Sequence, residues 1–451
     1  ISPFWARQPA GADAFGPVVR DPSYLYHWLM SFPYRLITVF THNQTAVVLW
    51  LRALNISLFA ASLPLYRRLL LKTGASRALA HSCLAVFVLV PVVPLLAAQI
   101  NYDNLFVPLA AATLLLTALV SEDSRRYKRI NTKLLAGVLI LGLLGSLVKY
   151  AFLPIFAAVV IYLGIRLGRA YGFGRRFWLN LGFGATLMTR RTRYVLAVTL
   201  VLSLGLFTQR YGVNLARYHT PLPDCAQVLS VERCMAYGPW TRDHREVLQN
   251  NQTPASKNPL TYTADWFYGM WLRSFFAVAG PSTRFQTRGP LVVPGISAIV
   301  FAGATLLASL VALPRLLRRY NRSVVLLCLG ASLTYVGVLW LNGYQSFLQT
   351  GQATAINGRY LIPILPPLLV VGGLAIDSLL ERRQTLKLAV AGTIIICLLW
   401  GGGALTYILR SNDAWYWPHY QIVRIVNHAI RHVVGPITPG YRHPTQFMSR
   451  N

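Results

Sequence analysis

Long apolar runs alternate with short clusters of arginine and lysine along the chain, and this alternation most constrains the fold. Basic clusters follow the first, third, fifth, seventh and ninth apolar runs, so every second loop is basic. By the positive-inside rule these loops lie in the cytoplasm and the intervening loops lie outside. Because a bilayer-crossing helix needs about 20 apolar residues, the runs predict transmembrane helices at 46–66, 78–98, 104–120, 134–148, 150–166, 194–210, 291–314, 323–342, 360–380 and 388–409.

The composition also favours a membrane protein and argues against nucleic-acid binding. Only 12% of the residues are charged, against about a quarter in soluble domains, and the mean hydropathy is +0.46. The net charge of +30 comes from short clusters between apolar runs and forms no continuous basic face. Membrane lipids, and no nucleic acid, are therefore the predicted partners. The sequence predicts an all-α polytopic membrane protein with about 10 transmembrane helices and additional exterior interfacial helices.

This topology divides the chain into five segments. They are an exterior loop with an aromatic interfacial helix (1–45), transmembrane helices (46–210), a large exterior loop (211–290), transmembrane helices (291–409) and an exterior tail (410–451). The first segment is exterior and precedes an inward-going helix, and the chain starts on Ile1 without a methionine. We therefore expect one more span upstream of Ile1.

The five cysteines suggest structural roles. Cys225 and Cys234 share the large exterior loop and could form a disulfide if that loop faces an oxidising compartment. The other cysteines lie inside apolar runs and are predicted to be small core residues; they are Cys83, Cys328 and Cys397. No cluster of cysteine and histidine suggests a metal site, and a divalent cation is left open as a cofactor.

Carboxylates are scarce, and most of the 13 fall on the predicted exterior side. Asp21 precedes the aromatic helix, where it could cap the helix, serve in catalysis, or do both. Asp103 lies with Asn101 in a very short loop between two spans. Polar groups so close to the hydrocarbon are costly unless they face a cavity or one another, although Asp103 could also cap the next helix. Asp377, near a cytoplasmic helix end, is predicted to pair with a neighbouring arginine.

Three basic residues on the exterior side are candidates for binding a phosphate. Lys149 stands between two tightly joined spans, where snorkelling to the interface is the simpler explanation. Arg359 opens a late span, and Arg273 ends an aromatic run, 265–273, that we expect to lie on the membrane surface. Arginine forks match phosphate oxygens, so the three together would suit a lipid-linked phosphate.

Four local features carry a resemblance to a known family. They are the exterior Asp21 before a surface-lying Tyr-His-Trp helix, LRALN at 51–55, NYDN at 101–104 and NGRYLIP at 357–363. With the topology of nearly the whole chain, they resemble the GT-C superfamily of multi-pass membrane glycosyltransferases, most closely its poorly characterised bacterial members.

The resemblance implies a fold of eleven or more helices with an active site at the exterior face of the bacterial plasma membrane. The implied donor is a sugar on a polyprenyl phosphate, and the acceptor is a glycan, a lipid or a protein. Asp21 would be the catalytic base, with Asp13 as the second candidate. Relatives often carry an acidic pair directly after their first helix, and here that segment would lie upstream of Ile1.

The remaining roles are predicted for other polar residues. The predicted substrate-binding residues are His27, Asn101, Asp103 and Tyr360, and the predicted donor-phosphate residues are Arg359, Lys149 and Arg273.

Two other classes of protein remain as alternatives. A transporter or flippase for a lipid-linked or small polar substrate would carry charges or broken helices near the membrane midplane, and often an internal repeat. Here the ionisable residues crowd the ends of the spans, except near Arg52 and Asn55. A non-catalytic assembly subunit would tolerate loss of every exterior carboxylate.

Overall fold

The computed structural model describes residues 20–90, 92–236, 238–252, 258–275, 292–351, 356–381, 383–401 and 421–436. Within them the chain is helical and has no strand, which confirms the all-α prediction. Asp13 and most of the predicted exterior tail lie outside the described residues. The helices are α1 (Leu25–Phe40), α2 (Gln44–Ala60), α3 (Ser62–Lys72), α4 (Arg77–Leu89), α5 (Val92–Ala97), α6 (Asp103–Tyr127), α7 (Thr132–Val148), α8 (Leu153–Tyr171), α9 (Arg175–Thr186), α10 (Arg190–Phe207), α11 (Val213–Tyr218), α12 (Cys225–Val228), α13 (Val231–Cys234), α14 (Gly238–Gln252), α15 (Pro259–Phe275), α16 (Val292–Arg319), α17 (Arg322–Thr350), α18 (Leu365–Leu379), α19 (Gln384–Gly401) and α20 (Gln421–Val434).

Among the described residues, six helical stretches are long and apolar enough to cross a membrane. They are Gln44–Lys72, Asp103–Tyr127, Tyr150–Tyr171, Arg190–Tyr218, Arg322–Thr350 and Gly358–Leu379. Three more predicted spans fall on shorter apolar helices, at Arg77–Leu89, Thr132–Val148 and Gln384–Ile396, and 291–314 falls on α16. A helix therefore lies at each predicted position, as expected for a multi-pass membrane protein, while the count of ten spans stays a prediction.

The predicted span 78–98 is divided into two helices. Its sequence contains Pro91, and the residue before a proline is pushed out of the helical region. Val90 accordingly adopts an extended backbone, with φ −61° and ψ 119°, where α4 ends. The continuous apolar run thus becomes α4 followed by the short α5.

The chain divides into two compact units. Unit 1 comprises Ile1–Thr73, Ala97–Pro259 and Ser323–Thr354. Its central helix is α6, which packs against α2, α3, α7 and α8 and is largely buried. The 3-10 turn Tyr150–Phe152, which leads into α8, packs closely on α7 at Gly145, because this residue has no side chain. A Cβ added at Gly145 would lie 2.6 Å from the Phe152 ring. The polar residues at the start of α6, Asp103 and Asn104, are buried in unit 1.

Unit 2 comprises Gly74–Leu96, Leu260–Arg322 and Ala355–Asn451. In it α16 packs against α18 and α19, and α4 packs against the same two helices. At one end of this group Lys387 Nζ lies 2.7 Å from Asp377 Oδ1, and the Tyr320 hydroxyl donates to Asp377 Oδ2 over 2.8 Å. The predicted arginine partner of Asp377 is therefore wrong. The tight turn between α18 and α19 brings a lysine there, while Arg319 pairs with Glu381.

The segment predicted to be the large exterior loop begins with short helices held by a disulfide. Cys225 and Cys234 form a disulfide, with their Cα atoms 5.9 Å apart, as the sequence analysis allowed. Asp224 accepts from the backbone N–H of Ala226 and, together with Gln227, forms a capping box on α12. Cys83 and Cys328 are buried and free, as predicted, while the Cys397 side chain lies outside the described residues.

Helix α9 is held on the ends of α7 and α8 by one narrow face. Thr132 Oγ1 donates to the Leu181 carbonyl over 2.8 Å, and a side chain at Gly184 would collide with the Ile130 carbonyl and the Thr132 hydroxyl. Gly182, two residues before Gly184, lies on the other side of α9. A Cβ added there meets nothing within 4 Å.

We expect Gly184→Ala to disrupt the packing of α9 against Ile130 and Thr132, and Gly182→Ala to preserve it. The first change puts a methyl group against backbone, whereas the second only raises helix propensity, by about 0.5–1 kcal/mol. Amide hydrogen exchange of α9 should accelerate at least about tenfold in Gly184→Ala, which corresponds to ~1.4 kcal/mol of lost protection. Equal exchange rates in the two variants would contradict the proposed packing contact at Gly184.

Candidate functional site

A π-helical turn at Thr208–Gly212 interrupts the span formed by α10 and α11. Its two central side chains, Arg210 and Tyr211, are both buried, at 5% exposure each. The Tyr211 hydroxyl donates to the Ser146 carbonyl on α7 over 2.6 Å. A π-turn shifts the residues after it relative to an α-helix and often occurs at functional sites. Here it directs an arginine into unit 1 at the end of an apolar helix.

The segment before α1 is tied to this π-turn. Arg20 donates through Nε to Asn214 Oδ1 over 2.9 Å and through Nη2 to the Gln209 carbonyl over 2.8 Å. Asn214 Nδ2 donates back to the Arg20 carbonyl over 3.0 Å. These three bonds fix the position of the next residue, Asp21.

Asp21 closes a turn and leaves the helix start uncapped. Its Oδ1 accepts from the Ser23 N–H over 2.8 Å, and the Ser23 hydroxyl accepts from the Tyr150 N–H over 3.0 Å. The residue at the cap position of α1 is Tyr24, which makes no capping side-chain bond. Asp21 therefore does not cap α1; it orders the turn that precedes the helix.

Asp21 lies among cationic and aromatic groups. The Arg210 guanidinium stands over the Tyr24 ring, 4.6 Å from its centroid. Partial burial raises the pKa of the Asp21 carboxyl, while the hydrogen bonds from Ser23 and the charges of His27 and Arg210 oppose that rise. Burial of the carboxylate therefore prevails, and Asp21 holds a proton more readily than an exposed aspartate does.

His27 is exposed at the surface beside Asp21. Partial desolvation lowers the pKa of its imidazole, and the negative charge of Asp21 opposes that shift. Its ring also contacts the edge of Tyr102, with centroids 6.2 Å apart. His27 thus connects the surroundings of Asp21 to the start of α6.

A buried ion pair lies on the other side of Tyr102. Lys149 Nζ is 2.6 Å from Asp103 Oδ1, and the two side chains are only 5% and 3% exposed. The ammonium also stands over the Tyr102 ring at 4.8 Å. Asp103 Oδ2 is buried and accepts no hydrogen bond from the described part of the chain.

This pair decides against two of the alternatives that the sequence left open. Lys149 does not snorkel to the interface, because the nearby Asp103 compensates its charge inside the protein. Asp103 is not the cap of α6, since the helix already begins at that residue and Asn101 Oδ1 accepts from the Asp103 N–H over 3.0 Å. Asn101, predicted to bind substrate, therefore orders the helix start.

Buried polar side chains hold α1, α2 and α6 together next to this ion pair. The Tyr26 hydroxyl donates to Asn55 Oδ1 over 2.6 Å, and Asn104 Nδ2 donates to the same oxygen over 3.3 Å. Asn55 Nδ2 donates to the Leu51 carbonyl one turn back in α2. The polar residue noted inside the first span is therefore a structural link.

Five of the predicted site residues consequently lie in one group, which we call the Asp21 cluster: Asp21, His27, Asn101, Asp103 and Lys149. Arg210 belongs to the cluster as well, and sequence reasoning missed it because an arginine at the end of an apolar run normally indicates snorkelling. Its only sequence signal is the polar TQRYG stretch, where an apolar helix continues into further helical sequence.

The remaining candidates within the described residues belong to unit 2. Asn357 Oδ1 accepts from the Arg359 N–H over 3.0 Å at the start of the 3-10 helix Gly358–Ile364, and the Arg359 guanidinium lies 5.2 Å from the Tyr360 ring centroid. A Cβ at Gly358 would lie 2.7 Å from Ser274 Cα, so only glycine allows this contact with α15. Arg273 precedes Ser274 in α15, and its side chain lies outside the described residues. The phosphate-binding role of Arg359 and Arg273 stays a prediction.

The Asp21 cluster contains a carboxyl group whose pKa is raised by burial, an exposed imidazole and a buried guanidinium. Among the described residues, no three histidine, cysteine, aspartate or glutamate side chains are grouped to hold a metal ion. Comparisons with protein-family models, curated proteins and solved structures return no match.

Proposed function

We propose that this chain is a membrane glycosyltransferase that moves a sugar from a polyprenyl phosphate to an acceptor hydroxyl. The observation that carries the proposal is the setting of Asp21, whose partly buried carboxylate has a raised pKa and lies beside exposed His27 and buried Arg210. A general base needs a pKa closer to the working pH than that of a free aspartate, and it needs access to substrate. Asp21 meets the first requirement, and its residue is of intermediate exposure beside the exposed His27.

The proposed reaction uses few protein groups. The acceptor oxygen attacks the anomeric carbon of the sugar and its proton passes to Asp21. The bond from that carbon to the phosphate oxygen breaks, and the polyprenyl phosphate leaves with the bonding electrons. Because this leaving group is already anionic, the protein needs mainly a base and a fixed positive charge. Arg210 is the proposed charge within unit 1.

The topology supports an exterior location for this chemistry. Asp21, Asp103, Lys149 and Arg210 all lie at helix ends that the positive-inside rule assigns to the side opposite the basic loops. An active site on the exterior face, in the plasma membrane of a bacterium, completes the proposal.

The buried Asp103–Lys149 pair favours a second candidate, a transporter. Ionisable groups within a membrane-spanning region often mark proton or substrate pathways, and one oxygen of Asp103 accepts no hydrogen bond among the described residues. A transporter would move a labelled substrate across proteoliposomes without forming a glycosylated product, and its transport would not require Asp21.

The test is sugar transfer by the purified full chain from a radiolabelled polyprenyl-phosphate sugar to membrane acceptors. We expect Asp21→Asn to lower turnover by at least about 10²-fold, the usual minimum for a general base. Asp224→Asn is the matched control, because Asp224 is an exposed exterior carboxylate that caps α12. Equal turnover in both variants, or no transfer by the unmodified chain with a range of donors, would contradict the proposal.

The pH dependence of transfer should identify Asp21 more specifically. A base works only when deprotonated, so activity falls as the pH drops through its pKa. Because burial raises the pKa of Asp21, that fall should come at a higher pH than it would for an exposed aspartate. The positive charge of His27 lowers the pKa of Asp21. His27→Gln should therefore move the acid limb of kcat/KM to higher pH, whereas His219→Asn, at an exposed position, should not. If the acid limb did not move in His27→Gln, the charge of His27 would have no effect on the catalytic base.

A further inference from the structure

The outer face of α9 combines exposed apolar side chains with an unusual density of arginine. Residues 166–193, from the end of α8 to the start of α10, contain seven arginines and no acidic residue. On α9 itself Trp178 is 65% exposed, Leu179 62% and Phe183 55%. Such large apolar residues are rarely grouped on a surface that contacts only water.

The orientation of α9 follows from its contacts. Phe177 and Leu181 pack against the buried group of Ile130, Leu167 and Tyr171. Since Gly184 lies against backbone on the same side, the helix rests on an arc containing positions 177, 181 and 184. Trp178, Leu179 and Phe183 lie on the opposite arc, and Arg175 and Arg176 are exposed at its beginning.

The chain connections keep this face near the membrane. Arg175 follows the end of the apolar stretch Tyr150–Tyr171 by four residues, and Thr186 precedes the stretch Arg190–Tyr218 by four. An extended chain reaches at most about 3.6 Å per residue, so neither end of α9 can move more than roughly 14 Å from the end of a span. The helix must stay at the membrane surface, on the side of the basic loops.

We propose that the outer face of α9 binds anionic phospholipid at this surface. Tryptophan, leucine and phenylalanine enter the boundary between headgroups and acyl chains, while Arg175, Arg176, Arg190 and Arg191 contact the phosphates. The complementary charge selects the partner, because seven cations without an acidic neighbour are attracted to an anionic leaflet. This site is separate from the Asp21 cluster, and it does not depend on the proposed sugar transfer.

The test uses the full chain with Phe183→p-benzoylphenylalanine in nanodiscs of equal amounts of phosphatidylglycerol and phosphatidylcholine. After illumination, the lipid adducts are counted by mass spectrometry. The matched control is Val201→p-benzoylphenylalanine, on the lipid-exposed middle of α10, where Val201 is 68% exposed. We expect adducts at position 183 to favour phosphatidylglycerol about fivefold or more, and adducts at 201 to follow the bulk ratio.

The charge is tested in the same discs with Arg175→Gln and Arg176→Gln added, which should lower the phosphatidylglycerol preference at 183 toward the bulk ratio. Three results would overturn the proposal. The first is lipid adducts at 201 but none at 183, which would mean that water or protein covers the face. The second is adducts at 183 in the bulk ratio of the two lipids. The third is a phosphatidylglycerol preference at 183 that survives the loss of both arginines.

Discussion

Lys149→Met is expected to lower the free energy of unfolding of unit 1 by about 3–5 kcal/mol, because it leaves a buried carboxylate without its counter-charge. Asp103 is only 2% exposed, and its Oδ2 accepts no hydrogen bond in the described part of the chain, so the salt bridge through Oδ1 is its main compensation. Unfolding can be measured by heat or by SDS titration in detergent micelles, with helicity as the readout.

Two controls separate the loss of a charge partner from the loss of a lysine. The Asp103→Leu, Lys149→Met double variant should recover most of the stability, because apolar residues often replace a buried ion pair at little cost. Lys72→Met breaks an ion pair of the same 2.6 Å length in the same unit, but those side chains are 38% and 31% exposed. It should cost at most about 1 kcal/mol. Equal losses for Lys149→Met and Lys72→Met would show that water reaches the Asp103 pair.

Arg210→Met is expected to reduce kcat/KM for sugar transfer by about 10²–10³-fold, the usual effect of removing one group that stabilises developing negative charge. Arg210 lies on the π-turn beside Tyr24, and its charge acts on Asp21. Arg210→Lys should recover only part of the rate, since an ammonium neither stacks on Tyr24 as a guanidinium does nor binds two phosphate oxygens at once.

The control for Arg210 is Arg217→Met, an exposed arginine on the adjoining α11. A second readout distinguishes a charge effect from a folding defect. Because the Arg210 charge lowers the pKa of Asp21, Arg210→Met should also move the acid limb of the rate profile to higher pH. A fall in activity with an unmoved limb would assign Arg210 a purely structural role, and unchanged activity would remove it from the site.

The positions of the helices could be predicted from the sequence because they depend on local stretches of residues. Apolar length, proline position and the charge of successive loops place helices without knowledge of their packing, and a helix lies at every predicted span. The Cys225–Cys234 loop was likewise recognisable from its spacing and setting. The roles of individual polar residues were harder to predict, because capping, snorkelling and ion pairing leave similar sequence patterns at helix ends.

By itself the sequence determined an all-helical membrane architecture and a shortlist of rare polar residues, since both follow from the cost of placing charge in hydrocarbon. Only the tertiary structure decided which of these residues meet. Asp103 and Lys149 are 46 positions apart and neutralise each other because α6 and α7 pack side by side. Arg210 reaches Tyr24, far earlier in the chain, because a π-turn redirects its side chain. Such pairings depend on how helices pack, and no local pattern of residues encodes that.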